Sequence, residues 1–124
     1  MADFADLCRV TDAAYQADLA RLRRVTGQEA TLRAALADLD RQLRDSLGTA
    51  GEAEDTWRAV GADEAWRKWL SRQRAEANMQ LARILVQKSD AIGRLKHSFA
   101  RRHVSEDILA QQREEARLKR SRPR

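Results

Sequence analysis

The chain has 124 residues, 43 % apolar and 35 % charged, with one proline, one cysteine and a formal net charge of +5. That length allows one domain, and so much charge beside few bulky apolar residues suits long solvated helices, not a thick core around a catalytic cleft. No run of eighteen apolar residues occurs and MADFADLCRV lacks the pattern of a secretory leader, so a cytoplasmic protein without membrane insertion is expected.

Asp3 and Asp6 stand where a helix start favours acids, and a first helix is predicted over about 3–47 with Asp3 as its N-cap. From Phe4 its heptad seam reads Phe4, Cys8, Thr11, Tyr15, Asp18, Leu22, Val25, Glu29, Leu32, Leu36, Leu39, Leu43 and Ser46. Cys8 on that seam reads as a small core residue and not as a reactive thiol. Asp18 is expected to stand about one turn from Lys88. Gly48 and Gly51 place a turn at about 48–53, where the chain reverses.

A second helix is predicted over about 54–118, with Gly61 and Gly93 as weak points and a frayed tail over 119–124. Its apolar face reads Trp66, Leu70, Ala77, Leu81, Leu85, Ile92, Leu95 and Phe99, with a stutter between Ala77 and Leu85. The cap-like run HVSEDI marks 103–105 as the one place where this helix could break. Facing residue numbers are expected to sum to roughly 103, which pairs Phe99 with Phe4, Leu95 with Cys8, Leu81 with Leu22 and Trp66 with Leu36. The fold class is therefore all-α: a long antiparallel two-helix coiled-coil hairpin with a C-terminal helical overhang.

In that register the overhang begins after Phe99 and leaves Val104, Ile108, Leu109 and Leu118 without an internal partner. With Arg101, Arg102, Arg113, Arg117 and Arg120 around them, these residues read as a surface for another chain. Trp57, Trp66 and Trp69 make half of the six aromatic residues, and Trp57 and Trp69 are the candidates for a second contact point. Charge is uneven. Residues 1–62 hold eight Arg against eight Asp and three Glu, a net of −3, and residues 63–124 hold sixteen Lys or Arg against eight acids, a net of +8.

No glycine-rich phosphate loop, paired metal ligands or nucleophile beside a base occurs, so neither an enzyme nor a cofactor is expected. His97 and His103 are six residues apart and point to opposite sides of a helix. Segments such as AWRKWLSRQRAEANMQLARIL, on an arginine-rich pair of helices with both ends at one pole, resemble the FliJ and YscO group of flagellar and type III secretion stalk proteins. The resemblance implies a hexameric export ATPase and the export gate or secretion chaperones as partners. It also implies a place peripheral to the inner membrane through the secretion complex. Two other readings stand beside it: a generic coiled-coil adaptor or self-associating scaffold using Ala14, Ala30, Ala34 and Ala37, and a basic helical nucleic-acid-binding protein.

Overall fold

A computed structural model describes residues 3–49 and 57–122, which form two helices packed against each other, α1 (Phe4–Thr49) and α2 (Trp57–Ser121), with no strand among the described residues. Asp3 caps α1 as its position predicts. Its Oδ1 accepts a hydrogen bond from the Ala5 amide at 3.3 Å, and its carbonyl accepts from Asp6 and Leu7. These contacts satisfy donors that the first turn leaves open. The α1 helix passes Gly48, and most of the expected turn, with the start near residue 54, lies outside the described residues. No break occurs at 103–105. Ser105 turns its hydroxyl back to the Arg102 carbonyl at 2.9 Å, inside a continuous helix, instead of capping a new one. The helix then runs to Ser121 with Lys119 and Arg120 in its last turn, where cations offset the helix dipole.

The chain divides into two compact units, Met1–Val25 with Lys88–Arg124, and Thr26–Gln87. In the first unit the α2 residues that meet α1 most closely are small. Ala91, Ser98 and Ser105 recur every seven residues and are buried, and Leu95, Arg102 and Leu109, each four residues after one of them, are half-buried. The predicted α1 seam holds here at Cys8, Thr11, Tyr15, Asp18, Leu22 and Val25, while Phe4 stays partly in water. Ser98 donates to the Arg94 and Leu95 carbonyls at 3.2 Å, so its burial leaves no hydroxyl unsatisfied.

Contacts across this unit fix its register. The Cys8 Sγ lies 3.2 Å from the Ser105 carbonyl, the Thr11 and Ser105 hydroxyls are 2.7 Å apart, and Tyr15 meets Phe99 at 6.0 Å between ring centroids. Arg21 reaches Asp90 at 3.7 Å. Arg102 brings its Nε to 3.1 Å from both Asp12 Oδ1 and Glu106 Oε1, neither aligned as a hydrogen bond, and lays its guanidinium over the Tyr15 ring at 4.8 Å. Partner numbers fall along α2 as they rise along α1, and most sum to about 114, not 103. The expected pairs Phe99–Phe4 and Leu95–Cys8 are corrected accordingly, and the Asp18 level on α2 lies near residue 96 instead of Lys88.

In the second unit the α1 leucines Leu32, Leu36, Leu39 and Leu43 are half-buried as predicted, and α2 contributes buried Leu70 and Ala77 with half-buried Leu81 and Ile84. Here too the register departs from expectation. Arg74 Nε reaches Asp40 Oδ1 at 2.9 Å, and Arg67 donates to the Ser46 hydroxyl at 3.2 Å and to its carbonyl at 3.3 Å. Glu29 is buried and accepts from Arg33 Nε at 3.1 Å. Four-residue steps run Gln73, Ala77, Leu81, after which Ile84 and not Leu85 turns inward. Of the expected α2 face, Leu70, Ala77, Leu81, Ile92 and Leu95 are buried or half-buried, while Trp66, Leu85 and Phe99 are exposed.

The two registers are separable by a crosslink. Ser105→Cys is expected to form an intramolecular disulfide with the native Cys8 under mild oxidation, read as a shift on a non-reducing gel and a two-dalton mass loss. Leu95→Cys should give none, because it stands about ten residues, ~15 Å along the helix, from Cys8.

Candidate partner-binding surface

A seam filled with small and polar side chains leaves the large apolar ones on its flanks. In the first unit, Leu7, Val10 and Ala14 form an i, i+3, i+7 stripe on α1 just outside the seam, and Ala100, Val104 and Ile108 form an i, i+4, i+8 stripe on α2. They line two open grooves of about 390 and 380 Å³ that share Thr11 and Arg101. The first is almost wholly apolar. The second adds Arg94, His97 and Asp18. Val10 is 66 % and Val104 56 % exposed, far more than an apolar side chain in a helix–helix seam keeps.

The sequence candidates fall into three groups. Arg101 and Val104 lie on the groove, exposed, and Arg101 makes no ion pair among the described residues. Ile108 and Leu109 are half-buried, which corrects the expectation that they lack an internal partner: the true register carries α1 alongside them. Arg102 is committed to Asp12, Glu106 and Tyr15, so it belongs to the pairing of the helices. Arg113 is exposed on the last turns of α2. Arg120 folds its Nε onto the Ala116 carbonyl at 3.3 Å. Arg117 donates to both Glu114 oxygens at 3.0 and 2.7 Å, and these bonds hold the Glu114 carboxyl below its usual range. Leu118, which stands beside that pair, is also exposed.

In the second unit Trp69 stacks on Trp66 with centroids 5.1 Å apart and ring planes 15° from parallel, both nearly half exposed. Two aromatic faces held together in water form a compact apolar platform suited to a protein contact. The side chain of Trp57 lies outside the described residues. Leu7 and Val10 escaped the sequence reading, which weighs His97 only as a metal ligand, although the i, i+3 spacing of Leu7 and Val10 beside the Cys8–Thr11 seam marks a second apolar stripe.

Among the described residues there is no group of three or more His, Cys, Asp or Glu placed to hold a metal, and no helix long and apolar enough to cross a membrane. No protein-family model matches the chain, and neither a curated protein nor a solved structure matches it at a significant level.

Stability separates floor from rim. Ile108→Asp combined with Leu109→Ser is expected to lower Tm by several degrees, since two half-buried apolar side chains are lost at roughly 1 kcal/mol or more each. Val104→Asp should change Tm by no more than about a degree, as exposed sites usually do. Thermal melts of both variants by circular dichroism check this.

Proposed function

We propose that the protein is a non-enzymatic adaptor, an antiparallel two-helix coiled coil that offers its apolar flanks to a protein partner. The observation that supports this reading most is the placement of Leu7, Val10 and Val104. Leu7 and Val104 line one open groove and Val10 the adjoining one, while alanine and serine occupy the α2 side of the seam.

Within this class, the resemblance to the FliJ and YscO group makes the stalk of a flagellar or type III export apparatus the specific form to test. A hexameric export ATPase would be the first partner, and the export gate or secretion chaperones the next. The basic half of the chain would then meet acidic loops and speed encounter, with apolar contacts slowing release. A cytoplasmic location peripheral to the inner membrane goes with that form.

Capture from nuclease-treated cytosol with the full chain is expected to recover a defined protein partner that then binds the purified chain directly. Recovery of nucleic acid alone, with every interaction abolished by nuclease, would contradict the adaptor reading. Failure of a purified export ATPase to bind would remove the stalk form and leave the adaptor class standing.

A further inference from the structure

We infer that the paired grooves of the first unit are the seat of an amphipathic helix from a partner protein, one carrying acidic residues along the edge that faces α2. The inference rests on the adaptor reading and gives the partner a chemistry. Two apolar stripes, one on each helix, converge on a shared channel from His97 to Ile108, eleven residues or ~17 Å of helix. That length accepts about three turns of a third helix, whose apolar residues at i, i+3 or i+4 and i+7 would settle between Val10 and Val104.

Charge selects the occupant. On the α2 side, Arg94, His97 and Arg101 follow one another at i, i+3 and i+7 along the rim. Arg94 is already engaged by Asp90 at 3.3 Å, so Arg101, which lines both grooves, is the uncommitted cation beside the apolar floor. Asp18 is the one acid lining either groove. The unit as a whole is basic: residues 1–25 balance four Arg with four Asp, and residues 88–124 hold eleven Lys or Arg against five acids, a net of +6. A second copy would bring the same +6 to this face and be repelled, whereas an acidic helix would be attracted over a distance set by salt. A nucleic-acid backbone would find the cations but would have no use for Leu7, Val10 and Val104.

The test uses the full chain and three fluorescent four-turn helical peptides with one leucine stripe and Glu, Gln or Lys along the flank. Anisotropy titrations should show the Glu peptide binding about tenfold or more tightly than the Lys peptide, the gap narrowing as salt rises. Arg101→Glu should narrow that gap at every salt concentration. Val104→Asp and, independently, Val10→Asp should abolish binding at unchanged Tm. Equal binding of the Glu and Lys peptides, no binding of any of the three, or indifference to both valine variants would overturn the proposal. A concentration-dependent dimer by sedimentation equilibrium that Val104→Asp dissolves would assign the groove to a second copy and overturn it as well. A partner captured by the nuclease-resistant route and retained by Val104→Asp would sink the groove alone, leaving the adaptor reading intact.

Discussion

The pairing of the helices depends on cations that sit in or beside the seam and require a polar partner opposite. Arg102 is held by Asp12 and Tyr15 in one unit, and Arg74 by Asp40 and Arg67 by Ser46 in the other. Each pair is worth about 0.2 to 1 kcal/mol at this exposure, and a change of register would lose them together with the Cys8–Ser105 and Thr11–Ser105 contacts. Sliding by one heptad in either direction would set Arg74 against Arg33 or Leu47, and Arg102 against Ala5 or Leu19. At the expected sum of 103, Arg67 would face Leu36 and Arg102 would lie beyond the start of α1. Polar seam positions thus specify register here, as they do in coiled coils generally.

The same seam explains where the large apolar residues go. With Ala91, Ser98 and Ser105 buried every seventh residue, bulk at those levels must come from α1 or be turned aside. Phe99 is turned aside: it is 55 % exposed and leans on Tyr15 and His103. Val104 goes the other way, into the groove with Leu7. A fold with a thin seam keeps little apolar area for itself and leaves apolar side chains exposed on its flanks, which ties the packing of the helices to the proposed function.

The legible part of the fold was what local pattern dictates. Two long helices, the Asp3 cap and the α1 seam from Cys8 to Ser46 follow from period and capping chemistry, and the structure keeps them. The expected α2 face holds at Leu70, Ala77, Leu81, Ile92 and Leu95 and fails at three positions, because spacing alone does not tell which of two adjacent stripes turns inward. Trp66, Leu85 and Phe99 are bulky yet outward, whereas Ser98 and Ser105 are polar yet buried, each returning its hydroxyl to its own helix. Register was the second loss. Leucines that repeat every seven residues pair acceptably at several offsets, and the polar and ionic contacts choose among them. The site inherited that error. Arg101 and Val104 are exposed on the groove, but Ile108 and Leu109, expected on a free overhang, are half-buried beside α1, and Leu7 and Val10 come into view only once their α2 neighbours are known.

The claim that charge sets the register is tested most directly by a double-mutant cycle at Asp12 and Arg102. Urea unfolding of Asp12→Arg, Arg102→Asp and the swapped double variant gives their coupling free energy. The account predicts that each single variant is destabilised and that the swap recovers stability, with a coupling of about 0.5 to 3 kcal/mol that shrinks in high salt. Additive losses, with no recovery in the swap, would contradict it.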